Sequence, residues 1–302
     1  MVIRNYFSLV KFAHTVFALP FALIGLCWGL MRSWNQLPGT GRIGKLTHFS
    51  SSGAGTKLLL VLACMVLART AAMAFNRWLD ADIDSRNPRT ASREIPSGKI
   101  SPRSALILVV CCSLLFVCCA GLINRLCFLL SPVALFVVLF YSYTKRFTAW
   151  CHLVLGLALA LAPIGAYLAA TGSFAVEPVL ISVAVLCWVA GFDIIYALQD
   201  VDFDKAQGLH SVPVKLGEAG ALRVSEGLHL LTALLLTFAG IMGGRGGWYM
   251  AGLLIFGMLL VYQHRLVKPG DLSRVNMAFF TTNGVASVIF AFFVLVDLLT
   301  HP

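Results

Sequence analysis

The sequence predicts an all-α, polytopic membrane protein. Of its 302 residues, 59% are hydrophobic and 12% charged, where soluble domains carry about a quarter charged residues. The apolar residues gather into stretches long enough to cross a bilayer, which takes roughly 20 residues each. The period-two alternation of a membrane barrel is absent. Backbone facing lipid must satisfy its own hydrogen bonds, so each stretch is read as a continuous helix.

The predicted spans are 9–31, 57–79, 104–123, 127–143, 150–170, 178–199, 221–241, 246–264 and 276–299, about nine helices in a single domain over 1–302. The first follows Arg4 and Lys11 as a signal peptide would, yet it is too long and lacks a small-residue cleavage site, so it reads as a retained anchor. A Gly/Ser/Thr-rich stretch, 33–56, precedes the second span and reads as a flexible outer loop. Within it, Gly39-Thr-Gly-Arg-Ile-Gly44-Lys45 imitates a phosphate loop, but Leu46 stands where magnesium chemistry needs Ser or Thr and no strand precedes it. Pro20, Pro132 and Pro163 fall inside the first, fourth and fifth spans, where each removes a backbone donor and is expected to bend its helix.

The net charge of +10 follows from topology. With the N-terminus in the cytoplasm, fifteen Lys and Arg lie inside (4, 11, 86, 89, 93, 99, 103, 145, 146, 205, 215, 223, 265, 268, 274) and six outside (32, 42, 45, 57, 125, 245), while Arg69 and Arg77 belong to the second span. This is the positive-inside pattern, expected of a multi-pass protein of the cell inner membrane, and it accounts for the basic balance without nucleic acid. The nine cysteines lie in or beside apolar spans with no Cys-x-x-Cys pair, and read as small packing residues.

The carboxylates are more informative, because each costs about 2.5–3.5 kcal/mol at mid-bilayer. Six of the thirteen fall in two clusters offset by 120 residues: Asp80, Asp82 and Asp84 end the second span, and Asp200, Asp202 and Asp204 end the sixth. Each cluster runs into a polar loop with an aliphatic-Pro pair, Ile95-Pro96 or Val212-Pro213, which reads as an internal pseudo-repeat with motif loops 76–103 and 196–220 on the cytoplasmic side. If the helices continue, Asn76, Asp80 and Asp84 form one column and Tyr196, Asp200 and Asp204 another. Like charges at a negative helix end oppose their own helix, so a cation is expected between the columns. Hard oxygen ligands without His or Cys suit magnesium and not zinc.

At these residues the sequence resembles the UbiA family of intramembrane aromatic prenyltransferases. Asn76, Asp80 and Asp84 match its Asn-x-x-x-Asp-x-x-x-Asp motif, Asp200 and Asp204 its Asp-x-x-x-Asp, and Tyr141 and Lys145 its Tyr-x-x-x-Lys. The segments 87–98, 196–200 and 208–211 are similar to the 4-hydroxybenzoate polyprenyltransferase-like branch, some of whose members prenylate a dihydroxynaphthoate for menaquinone. His210 stands where many relatives have Lys.

The resemblance implies a nine-helix bundle that moves a polyprenyl group from its diphosphate to an aromatic acceptor, in ubiquinone or menaquinone synthesis. Ionising an allylic diphosphate demands electrostatic stabilisation of the leaving group. The roles implied are Mg2+ held by Asp80 and Asp84 and by Asp200 and Asp204, with Asn76 as ligand or orienter and Lys145, Arg93, Lys205 and His210 as diphosphate contacts. Arg69, within a span, either binds the acceptor carboxylate or the diphosphate, or forms a structural pair with Asp193. Asp193, seven residues before Asp200, orients or deprotonates the acceptor hydroxyl. Tyr141 and Tyr196 face the allylic cation or hydrogen-bond the substrate. A cavity open to the bilayer would admit the lipid donor. The rival readings are a cation-coupled transporter, which also predicts paired acids and a repeat, and an assembly scaffold, which leaves the matched columns unexplained.

Overall fold

The computed structural model describes residues 8–9, 17–35 and 53–301. The phosphate-loop-like 39–45 segment, most of the predicted 33–56 loop, residues 10–16 of the first predicted span, and Arg4, Lys11, His14, Arg42 and Lys45 lie outside them. Among the described residues nine long helices form the bundle: α1 (Leu19–Asn35), α2 (Ala54–Leu79), α4 (Pro102–Ile123), α5 (Arg125–Thr144), α6 (Cys151–Thr171), α7 (Val176–Ala197), α9 (Val212–Met242), α10 (Gly247–Leu266) and α11 (Asn283–Thr300). Two six-residue helices, α3 (Ala81–Arg86) and α8 (Val201–Ala206), follow α2 and α7. Seven helical segments among the described residues are long and apolar enough to cross a membrane, so nine spans is an approximate count.

Local signals place the helix starts. Ser101, Asn124 and Ser211 cap α4, α5 and α9 by accepting from the backbone N–H of Ser104, Cys127 and Val214. Proline sits in the first turn of α4 and α9, where its missing donor costs nothing. Pro20 likewise lies in the first turn of α1 and does not interrupt it, whereas Pro132 and Pro163 are internal to α5 and α6. The seventh span begins nine residues before the predicted 221, because its first turns are helical but carry exposed Lys215 and half-buried Glu218, which apolarity alone does not reveal. Gly217, at φ 69°, breaks that helix near its start.

Helix α7 is the centre of the bundle, packed on α6 and α9. Its Trp188, Val189 and Ala190 are fully buried, and an aromatic core of Phe21, Trp188, Phe192, Phe256 and Phe290 joins α1, α7, α10 and α11. Close approach depends on missing side chains. A Cβ on Gly25 would lie 2.1 Å from Pro163 O and one on Gly156 2.3 Å from Leu186 O, so α1, α6 and α7 meet at backbone distance. The other half pairs α2 with α4 and α5.

The predicted columns are broken. α2 stops at Leu79, Asp80 takes φ −93° and ψ 6°, and α3 restarts at Ala81. α7 ends in a 3-10 turn (Leu198–Asp200), Asp200 takes φ −111° and ψ 7°, and α8 restarts at Val201. The pseudo-repeat is thus structural: α3 and α8 occupy positions offset by the same 120 residues. The loops afterwards are matched by a Ser cap with a first-turn proline, Ser101-Pro102 and Ser211 with Pro213, rather than by Ile95-Pro96, which lies in irregular chain.

Candidate active site

The two breaks bring the acids to one end of the bundle, around a polar cavity of about 310 Å³. Its lining includes Asn76, Asp80, Asp84, Arg93, Tyr141 and Lys145 from the first half, and Asp193, Tyr196, Asp200, Asp204 and His210 from the second. Twelve of the thirteen residues singled out in the sequence therefore share one cavity, Arg69 included. Lys205 does not: it is exposed on α8 and outside the lining.

The cation expected between the acids is supplied several times over by the chain itself. Lys145 Nζ lies 2.5 Å from Asp80 Oδ2, and Arg146 reaches Asp80 Oδ1 at 2.9 Å. Arg93 donates to both Asp84 oxygens, at 2.6 and 2.8 Å, with Arg77 behind at 3.9 Å. Arg89 crosses from the loop after α3 to grip both oxygens of Asp200 in the other half, through Nε at 2.9 Å and through its terminal nitrogen. Burial works to lower the Arg89 pKa, but the hydrogen bond and charge of Asp200 more than offset it, so the guanidinium is held above its ordinary value. The Asp204 carboxylate makes no hydrogen bond or ion pair among the described residues, while its backbone carbonyl accepts from Leu209 N–H at 2.8 Å.

The remaining groups are oriented by neighbours. Asn76 donates to Asp80 Oδ2 at 3.2 Å and Ser142 Oγ at 3.4 Å, leaving its amide oxygen for a ligand. The Tyr196 hydroxyl accepts from Arg89 at 3.2 Å, and its ring lies 4.2 Å from that of Phe279, in the π-helical turn Met277–Thr282 before α11. His210 is exposed at the rim, its backbone N–H donating to Lys145 O at 2.7 Å. Asp193 does not pair with Arg69; its Oδ2 lies 2.7 Å from His152 Nδ1. Arg146, Arg89, Arg77 and His152 were not candidates from sequence. Arg146 adjoins the motif lysine, while His152 shows nothing beyond a histidine in an apolar run.

A second cavity, about 400 Å³ and almost wholly apolar, lies between α2, α4, α5 and α6. Arg69, Met73, Tyr141, Leu155 and Leu159 line both cavities, so the polar mouth passes into an apolar interior through one shared wall.

This fold and site define a multi-pass helical membrane enzyme with two matched acidic motifs at one end of its bundle. Residues 43–285 match the UbiA prenyltransferase family, and the chain belongs to it; it is a prenyltransferase. The 4-hydroxybenzoate octaprenyltransferase of Aeromonas salmonicida is 33% identical over 77% of this chain and 80% of its own. That of Nitrosomonas eutropha is 33% identical over 80% of this chain and 85% of its own. The apo structure of a UbiA homolog from Aeropyrum pernix K1 superposes with a TM-score of 0.78 at 32% identity, covering 94% of this chain and 98% of that one. A UbiA homolog from Archaeoglobus fulgidus, solved with GPP and Mg2+, shares the fold at a TM-score of 0.71 and 20% identity, covering 98% of this chain and 99% of its own.

Proposed function

We propose that this chain transfers a polyprenyl group from polyprenyl diphosphate to an aromatic acid, 4-hydroxybenzoate or a dihydroxynaphthoate, in ubiquinone or menaquinone synthesis at the cell inner membrane. The observation that carries the reading is the joined pair of cavities: an ion-rich mouth suited to a diphosphate opens onto an apolar interior suited to an isoprenoid chain. The names of the Aeromonas and Nitrosomonas relatives support the acceptor class.

The residues fit magnesium. Among the described residues no three His, Cys, Asp or Glu converge on a metal cage, but magnesium commonly takes one or two carboxylates and completes its shell with water and phosphate. Asp80 with Asp84, and Asp200 with Asp204, offer such pairs, and the Mg2+ bound by the Archaeoglobus homolog supports the choice. Bound there, magnesium would supply positive charge to the departing diphosphate. Lys145, Arg89 and Arg93 add fixed charge around the same leaving group. Arg69, in the wall common to both cavities, would hold the acceptor carboxylate, and Tyr141, in the same wall, would offer its polarisable ring to the allylic carbon.

Purified protein in lipid, given a labelled polyprenyl diphosphate, magnesium and a panel of aromatic acids, is expected to yield prenylated acceptor. Transfer that survives both chelation and the Asp80→Ala, Asp200→Ala double variant would overturn the mechanism. Cation uptake by proteoliposomes with no transfer would instead support a transporter.

A further inference from the structure

We infer that His152 is a positioning residue for prenyl transfer, holding Asp193 as the base for the acceptor hydroxyl and fastening the loop before α9 to that base. The inference rests on the prenyl-transfer reading of the site. His152 sits in the first turn of α6, 3% exposed, and both ring nitrogens are engaged. The backbone N–H of Val212 donates to Nε2 at 3.3 Å, so that nitrogen is an acceptor. The ring proton therefore resides on Nδ1 and is given to Asp193 Oδ2 at 2.7 Å. That bond fixes the plane of the Asp193 carboxylate. The other carboxylate oxygen, Oδ1, makes no hydrogen bond among the described residues and belongs to a side chain lining the mouth.

Asp193, in α7, lies seven residues, about two turns, before Asp200 and lines the mouth together with Tyr196. An acceptor there would give its hydroxyl proton to Asp193 Oδ1. The ring carbon then bonds to the allylic carbon as the C–O bond to diphosphate breaks, its electron pair leaving with the diphosphate. The ring carbon loses its proton to solvent and Asp193 returns its own to the oxygen, so the net release is one diphosphate and one proton. The same imidazole ties Val212, and with it the Ser211 cap and the rim residue His210, to the base.

The test compares His152→Phe and His152→Gln in the full-length protein in lipid nanodiscs, with geranyl diphosphate and 4-hydroxybenzoate. A second readout is magnesium-dependent diphosphate release without acceptor, which needs the carboxylate pairs but no acceptor proton. His152→Phe is expected to lower kcat for transfer by at least about tenfold, leaving donor KM and acceptor-free release unchanged. His152→Gln, which can still donate to Asp193, is expected to restore most of the loss. Unchanged transfer in His152→Phe overturns the inference, as does a parallel fall of transfer and release in both variants. A wild-type chain that prenylates neither 4-hydroxybenzoate nor any other aromatic acid of the panel overturns the proposed function, and the inference with it; wild-type transfer with an indifferent Phe variant overturns the inference alone.

Discussion

Lys145 Nζ stands 2.5 Å from Asp80 Oδ2 at the point where α2 breaks, while the next residue, Arg146, holds the opposite oxygen at 2.9 Å. Two adjacent cations share one carboxylate but differ in surroundings: Lys145 lines the mouth, and Arg146 also binds the backbone oxygens of Leu79 and Ser142. On the proposed reaction Lys145 would be the cation that meets the leaving group and Arg146 the structural one. Lys145→Met is expected to lower transfer by about 10²-fold through lost leaving-group stabilisation, with the Tm nearly unchanged. Arg146→Gln should lower the Tm more than it lowers kcat. Steady-state kinetics with thermal melts check both; the reverse ranking would refute the assignment.

Each acidic cluster has an outer and a middle member, and the structure separates them. Asp84 is buried and Asp204 lines the mouth, whereas Asp82 and Asp202 are exposed and outside it. Asp84→Asn and Asp204→Asn are expected to reduce transfer by about 10²-fold or more, and chelation of divalent metal to abolish it. Asp82→Asn and Asp202→Asn should behave as wild type. A loss at Asp202 equal to that at Asp204 would mean that α8 is turned differently in the working enzyme.

The acidic motifs were legible in sequence because carboxylates are rare in an apolar chain and their spacing repeats. The breaks at Asp80 and Asp200 were not, since nothing in the local composition excludes a continued helix; they show only in the backbone angles. Contacts between halves were equally hidden. Arg89 grips Asp200 across 111 positions, and His152 reaches Asp193 across 41. Arg69 looked like a partner for Asp193 because both carry charge inside spans, but α6 delivers a histidine to that carboxylate first.

Gly165 lines the apolar cavity, and a Cβ there would meet no heavy atom within 4 Å. A larger residue would therefore grow into the cavity without displacing the bundle. Gly165→Leu is expected to favour short over long prenyl diphosphates by about tenfold in kcat/KM, the scale on which apolar pockets discriminate methylene groups. Competition between geranyl and octaprenyl donors measures this. An unchanged ratio would place the chain elsewhere.

Gln263 in α10 is fully buried, and neither its Nε2 nor its Oε1 has a hydrogen-bond partner among the described residues. Each unsatisfied buried polar group costs about 1–3 kcal/mol. Gln263→Met keeps the volume and removes both, so it is expected to raise the Tm without changing kcat. A fall in Tm would show that Gln263 holds an internal water whose bonds are worth more than its desolvation.

Asp297 provides the opposite case, a buried carboxylate whose bonds are complete. It is 0% exposed near the end of α11, accepts from the backbone N–H of Gly246 at 3.0 Å and of Tyr249 at 3.2 Å, and so caps α10 from a neighbouring helix. A negative charge is favoured at a helix N-terminus. Asp297→Ala would strand two buried donors, at about 1–3 kcal/mol each, and lower the Tm by several degrees. Asp297→Asn retains one acceptor oxygen and should lose less. The capped turn lies outside both cavities, so kcat per folded molecule should hold in both variants. A drop in kcat with an unshifted Tm would show that Asp297 acts on the site and not on the helix it caps.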